Sequence, residues 1–406
     1  MSVFKFGGSS VCNAEKIEVI KKAFINTNDA TVCVISAIGK ENVNDEKLTD
    51  LLIKCYNSYG DECDCYIDKI TCKMRNFANS LNLSFERIID YNNLINCLKS
   101  KTKYDYCISR GEYFTAKACS IYFGCKFVPA EELIILKGSS QIDVSATKKL
   151  IYDHFGEKIV VPGFYGIDSY GNINLFQRGG GDVTGAILSS LLKVDYYNYT
   201  DVAGVSPLWN DVYHDKSNIK QMGYSQLLKF ALSGANVFAY RAIKYLVKAH
   251  ITTYIKNIFK PKSFTQIDRT SDISDIFYFE NILNYYYIEK RKYILKSRFI
   301  SEIFKFFMIN RIQCKRCAYV KNRLYFSTAN SSQIQSLNND LLLCNGVKLY
   351  LYGDENISKR DLITNVALKY NYDYKITHHK NSNLESIVFY GDIEKNFLMD
   401  VSKILK

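Results

Sequence analysis

The chain has only four Pro and one Trp in 406 residues, while Lys, Asn, Ile and Tyr are abundant. That imbalance reads as codon bias and not as function. No apolar run approaches the ~20 residues needed to span a bilayer. No block of five like charges occurs, which excludes a nucleic-acid-binding arm. The net charge of +12 is spread along the chain and suits small anionic partners such as nucleotides. Met1 to Ser10 lack the basic and apolar regions of a signal peptide and read instead as a strand and loop. With an odd total of thirteen Cys, reduced thiols in a cytoplasmic enzyme are expected. Cys314-Lys315-Arg316-Cys317 has no second Cys or His pair at zinc-finger spacing. No metal or redox role is expected of it or of Cys63-Asp64-Cys65. His378-His379 is expected to face solvent.

Hydrophobic residues at 47% and charged residues at 23% suit buried cores. The length suggests two or three domains of roughly 100–200 residues each. Two glycine stretches stand out: Lys5-Phe6-Gly7-Gly8-Ser9-Ser10 and Arg178-Gly179-Gly180-Gly181-Asp182. Each precedes an expected helix. Unpaired glycine amides and the helix dipole both favour phosphate there. The two are expected to face one another across one phosphoryl-transfer site.

Val3 to Phe6 reads as a strand, Ala14 to Phe24 as a helix and Thr31 to Ala37 as a strand buried on both faces. This order predicts a right-handed βαβ unit with Gly7 and Ser36 at strand carboxyl ends, where ligands sit. Helices are expected from Thr49 to about residue 105, and another from Tyr113 to Phe123 with Glu112 at its start. Ile159 to Gly166 and Ile173 to Phe176 read as strands around a turn at Asp168–Asn172. Asp195 to Tyr199 ends at Thr200-Asp201-Val202-Ala203-Gly204. Helices at 225–232 and 237–248 and a strand at 253–255 complete an α/β domain over 1–262. A linker is expected over 263–280. Two pieces then each read βαββα, over 281–343 and 344–406, a ferredoxin-like half-sheet repeated twice.

Phosphoryl transfer needs charge neutralisation and a positioned acceptor. Lys5 offers a point charge, Gly7 and Gly8 offer amides, and Ser36 and Thr49 offer hydroxyls. Arg178 can grip a carboxylate through two parallel N–H bonds, and Glu112 can accept from an ammonium. Asp182 and Asp201 are candidates to hold a metal ion. Arg for a carboxylate and Glu for an ammonium together suggest an amino-acid acceptor.

Lys5-Phe6-Gly7-Gly8-Ser9-Ser10-Val11 resembles the opening motif of the aspartokinases. Lys47-Leu48-Thr49-Asp50-Leu51-Leu52 is similar to the family's acceptor threonine segment, and Ser109-Arg110-Gly111-Glu112-Tyr113 to its acidic motif. Pro162-Gly163-Phe164-Tyr165-Gly166 and the run Phe176 to Ala186 resemble its central signature. Tyr199 to Gly204, Gly234-Ala235-Asn236-Val237 and Ile255 to Phe259 continue in the same order, so the likeness covers about 2–267. The C-terminal pieces resemble the family's two ACT domains in layout.

The resemblance implies an amino-acid-kinase fold, with a mainly parallel sheet sandwiched by helices, followed by two α+β ferredoxin-like domains. It implies transfer of the ATP γ-phosphoryl group to the side-chain carboxylate of L-aspartate, with Mg²⁺ accompanying ATP and no dedicated metal site on the protein. Lys5 and Asp182 would be catalytic. Ser36, Thr49, Glu112, Arg178, Gly179 and Gly180 would bind the acceptor. Lys5, Gly7, Gly8, Ser9, Thr200 and Asp201 would bind the nucleotide. It further implies a homodimer or higher oligomer through the ACT domains, and entry to lysine, threonine and methionine synthesis or a specialised pathway. No nucleic-acid or membrane partner is expected.

Departures from the pattern are specific. Gly181 stands where the family has Ser, Asp211 where it has a phosphate-binding Arg, Asn236 where it has Lys, and Ala239-Tyr240 where it has His-Pro. The turn at Tyr293 to Ser297 lacks the Gly of ACT effector sites, while Gly353 to Ile357 comes closer, which implies weakened effector control. These losses keep two alternatives open: a weakly active or inactive paralogue that binds amino acids or regulates, and a kinase for another amino-acid carboxylate.

Overall fold

The computed structural model describes residues 1–138, 141–176, 179–205, 219–227, 238–269, 276–289, 314–320, 323–328, 342–352, 357–378, 384–390 and 393–405. They fall into two compact units, residues 1–205 with 219–269 and residues 276–405.

In the first unit the strands, in chain order, are β1 (Ser2–Phe6), β2 (Ala30–Ile35), β3 (Lys126–Phe127), β4 (Ile135–Lys137), β5 (Gln141–Ile142), β6 (Ile159–Pro162), β7 (Tyr165–Asp168), β8 (Ile173–Leu175), β9 (Asp195–Tyr199), β10 (Gln221–Gly223), β11 (Thr253–Lys256) and β12 (Phe264–Asp268). Eight form one sheet in the order β10-β12-β11-β9-β1-β2-β6-β3. From β11 to β3 every pairing is parallel, while β12 runs antiparallel to β11. β4, β5, β7 and β8 make a separate four-stranded sheet. The central strands β1, β2 and β6 are buried along their whole length. That is why they read as continuous apolar runs and not as alternating ones.

Alternation along β1 divides the two faces. Phe4 and Phe6 join a core built with helix α1 (Ala14–Asn26), α2 (Leu48–Asn57), α3 (Gly60–Ser80), α4 (Tyr91–Ser100) and α5 (Tyr104–Phe123). After the short α6 (Ala130–Leu133) and α7 (Val144–Tyr152) comes α8 (Gly180–Leu192), which packs on the opposite face against β1, β2 and β9. Helix α9 (Tyr240–Ala249) packs on α8. Lys5 alternates with Phe4 and Phe6 and therefore leaves the sheet toward α8.

Two expectations are corrected here. The expected 263–280 linker is largely strand: Phe264–Asp268 pairs with β11 and extends the large sheet. Its Thr265 side chain is buried and ties Val205 N–H to Ile219 C=O, so the segment is held inside the unit. Helix α5 begins at Tyr104, so Glu112 lies in its third turn and not at its start. Gly111 costs an exposed helix about 1 kcal/mol. Here it is required for close approach: a Cβ on it would sit 3.1 Å from Ala37 Cβ and 3.3 Å from Leu52 Cδ1.

In the second unit β13 (Ile276–Glu289), β14 (Cys314–Val320), β15 (Arg323–Thr328), β16 (Leu342–Tyr352), β17 (Asp373–His378) and β18 (Leu384–Tyr390) form one antiparallel sheet, ordered β14-β15-β13-β16-β18-β17. The two sequence repeats meet at the β13–β16 pairing. Helices α10 (Arg360–Lys369) and α11 (Lys395–Leu405) cover the second half around Leu349, Ile363, Ile387, Phe389 and Phe397. Within the first repeat the sequence pattern predicts helices over 298–309 and 334–342, yet Leu342 opens β16. The 298–309 segment, the rest of 334–342, and the turns at 293–297 and 353–356 lie outside the described residues.

Candidate active site

The carboxyl ends of the parallel strands are laced into one rim. Thr200 N–H donates to Lys256 C=O (2.9 Å), Gly7 N–H to Tyr199 C=O (3.1 Å), Ser36 N–H to Phe6 C=O (3.2 Å) and Gly163 N–H to Ile35 C=O (3.0 Å). The segments after β11, β9, β1, β2 and β6 are thus neighbours along a single edge, where α/β sheets hold their ligands.

On this rim Lys5 Nζ pairs with Asp182 Oδ1 at 2.5 Å, with both side chains largely buried. Asp182 lies in the first turn of α8, so both glycine motifs meet at this pair. Asn198 Nδ2 donates to the same Asp182 oxygen (3.4 Å), and Ala239 N–H donates to Oδ2 (3.3 Å). Gly179 caps α8 at φ 84°, and a Cβ there would stand 2.6 Å from Ala239 Cβ, so it needs glycine for both conformation and space. Gly163 is pressed against the start of α8, with its would-be Cβ 2.9 Å from Gly181 Cα. The next residue, Phe164, holds φ 86°. This conformation is uncommon for a non-glycine residue. It is retained by Thr184 Oγ1 accepting from Phe164 N–H (3.0 Å) and Phe164 C=O accepting from Phe176 N–H (2.7 Å).

Gly7 does not serve as first read. Its amide is consumed by Tyr199, which leaves Gly8 and Ser9 as the turn's donors among the described residues. Gly39, not singled out in the sequence, locks this turn: its N–H donates to Gly8 C=O (3.1 Å), and a Cβ on it would stand 2.3 Å from that oxygen. Because both sides of that contact are backbone, Gly39→Ala is expected to cost roughly 1–3 kcal/mol of stability. A urea melt checks this, and an unchanged midpoint would mean the two turns separate freely.

The acceptor side is built on the same rim. Ser36 Oγ lies 3.2 Å from where a Gly181 Cβ would be, and Lys5 Cε lies 3.4 Å from it. The adjacent Ala37 backbone N–H favours the charged form of the Glu112 carboxyl, whose Oε2 is buried without a hydrogen-bond partner. Burial pushes the Glu112 pKa up to about 8, and the Ala37 N–H opposes that rise. Thr49 sits half-buried in the first turn of α2, beside Leu48, which packs near Gly111. An orphaned buried carboxylate oxygen is rare and points to an absent donor.

Thr200 Oγ1 donates to Asp201 Oδ1 (2.9 Å), and Asn257 Nδ2 donates to Asp201 C=O (2.7 Å). Arg178, Asp211 and Asn236 lie outside the described residues. Among the described residues no cluster of three His, Cys, Asp or Glu is placed to hold a metal. Both Asp182 oxygens accept protein donors. Asn198 was missed in the sequence reading, although a polar residue two positions from buried Tyr196 on an inner strand was its signal.

The amino acid kinase family model matches residues 1–257. The chain belongs to the amino acid kinase family. Its curated relatives include Aspartokinase 3 of Bacillus subtilis, 28% identical over 282 residues that span 65% of this chain and 62% of that protein. Another is the aspartokinase of Rickettsia prowazekii, 24% identical over 64% of this chain and 52% of that protein. The match thus spans about half to three-fifths of these relatives' length. Two solved structures share the fold over the whole chain. The aspartate kinase of Clostridium acetobutylicum has a TM-score of 0.76 at 20% identity and is covered to 99%. Aspartokinase III of E. coli, in complex with lysine and aspartate, has a TM-score of 0.77 at 15% identity and is likewise covered to 99%. No helix among the described residues is long and apolar enough to cross a membrane.

Proposed function

We propose that this chain is an aspartate kinase, transferring the ATP γ-phosphoryl group to the side-chain carboxylate of L-aspartate to give 4-phospho-L-aspartate. The observation that carries this is the orphaned Glu112 oxygen, joined through Ala37 and Ser36 to the Lys5–Asp182 pair. A buried carboxyl that ionises when its partner binds fits the substrate's α-ammonium, and the Lys5 cation fits the transferring phosphoryl group. The aspartokinase relatives favour the same substrate pair.

In this reading Glu112 holds the ammonium, Thr49 and Ser36 offer hydroxyls, and Arg178 grips the α-carboxylate. Lys5 neutralises charge on the phosphoryl oxygens, and Gly8 and Ser9 N–H groups point at the phosphates. Asp182, fixed by three donors, holds Lys5 in place. Gly179 and Gly180 let the backbone approach the acceptor, and Thr200 and Asp201 flank the nucleotide. Mg²⁺ would arrive with ATP, held chiefly by phosphate oxygens and water, neutralising phosphate charge. Arg241 and Lys244 are exposed on α9, whose start touches Asp182. They are candidates to replace the cations absent at 211 and 236. The second unit serves as the ACT pair and the surface for self-association.

A coupled assay with ATP and aspartate is expected to give turnover that requires Lys5. Aspartate binding by calorimetry with no turnover would instead establish a binding or regulatory paralogue. Turnover with a different amino acid alone would redirect the substrate assignment.

A further inference from the structure

We propose that Cys55 and Cys63 form an oxidisable dithiol, a modification site at which a peroxide closes a disulfide between α2 and α3. Cys55 lies in the last turn of α2 and Cys63 in the first turn of α3. Their sulfurs are in contact at 3.8 Å, and both side chains are buried. The Lys101 ammonium donates to Cys63 Sγ at 3.4 Å and to Cys55 C=O at 2.8 Å. Buried cysteines usually act as small apolar side chains. A sulfur–sulfur contact with a cation on one member is a different arrangement. The cation lies where thiolate charge develops on Cys63, while burial and the Cys63 neighbour push the Cys55 thiol up to about 12. The geometry therefore assigns Cys63 as the attacking sulfur and Cys55 as the resolving one. Tyr59, 74% exposed, lies in the turn between the helices with Lys101 5.0 Å from its ring, so the cation beside Cys63 sits close under the surface. The sequence reading weighed Cys63 only with Cys65, which is exposed on the helix.

The reaction balances with hydrogen peroxide as oxidant. The Cys63 thiolate attacks one peroxide oxygen, the O–O bond breaks, and a sulfenic acid and hydroxide result. Cys55 sulfur then displaces the sulfenic oxygen, which leaves as water with the Cys55 proton. The sulfurs must close from 3.8 Å to about 2.05 Å. The new bond ties the helix bearing Thr49 to α3. Cys97 and Cys107, also buried, lie close behind and are the competing partners.

The test treats the full chain, carrying Cys65→Ser and Cys72→Ser to remove two exposed thiols on α3, with dilute hydrogen peroxide. Free thiols are then alkylated and the chain is digested without reductant. A Cys55–Cys63 cross-linked peptide, two hydrogens lighter than its reduced parts, is expected. It should vanish in Cys55→Ser and in Cys63→Ser, and form several-fold more slowly in Lys101→Met, which retains both sulfurs should the serine variants fail to fold. Both cysteines alkylated after treatment, or a cross-link to Cys97 or Cys107 instead, would overturn the assignment. An unchanged rate in Lys101→Met would remove the cation's role.

Discussion

Lys5→Met is expected to lower kcat for aspartate phosphorylation by about 10²–10³-fold while leaving the fold assembled. A preorganised cation at developing phosphoryl charge in a water-poor site is worth roughly 3–4 kcal/mol. Lys5 is only 8% exposed, and among the described residues its ionic contact is with Asp182. The substitution therefore has a second consequence. It strands the Asp182 carboxylate, leaving it among the described residues the weaker Asn198 and Ala239 donors, and breaking a buried pair this way costs about 3–5 kcal/mol. Stability and catalysis are separable by adding Asp182→Asn. The double variant removes the stranded charge and should recover much of the thermal midpoint, but not the turnover. If Lys5→Met alone keeps kcat within about tenfold of wild type, the phosphoryl-site assignment fails. Recovery of turnover in the double variant would mean that Lys5 acts only on the fold.

The parts of this site that were legible in the sequence were those written in backbone chemistry. Gly7-Gly8 after an apolar strand and Gly179-Gly180 before a helix announced themselves because a turn or a cap demands glycine. Asp195–Tyr199 read correctly because strand and turn residues bound it sharply. What could not be read was anything decided by three-dimensional proximity. Gly111 looks like a helix breaker until α2 and Ala37 are seen pressing on it. Phe264 to Asp268 looks like linker because this short strand, paired between β10 and β11, carries polar residues. Gly7 looks like a phosphate ligand until Tyr199 takes its amide. Asn198 and Gly39 matter only because the strand-end lacing sets them against Asp182 and Gly8. The missing Ser at 181 also changes meaning in the fold. Ser36 Oγ already faces that position, and a side chain at 181 would crowd it at 3.2 Å.

Glu112 makes the second large prediction, and its sign follows from its burial. In the free protein its pKa stands near 8 against an ordinary 4.5. Between those values the folded chain holds a proton that the unfolded chain does not. The stability of the free protein should therefore fall as pH rises from 4.5 toward 8. Binding an ammonium reverses the preference, since it requires the carboxylate. Aspartate binding below pH 8 must then release the Glu112 proton. Affinity should rise by up to about tenfold per pH unit from pH 6 toward 8 and level off above it. Calorimetry in buffers of different ionisation enthalpy would read the released proton directly. Glu112→Gln keeps the size and a carbonyl acceptor but can neither ionise nor release a proton. It should weaken aspartate binding by about 10²-fold or more, as loss of a buried charged partner does, and leave the remainder independent of pH. The same variant should stabilise the free protein at pH 8, because no buried charge has to form. Wild-type affinity that ignores pH across this window, or a Gln variant that binds aspartate as well as the wild type, would place the substrate's amine elsewhere and leave the orphaned oxygen without its ligand.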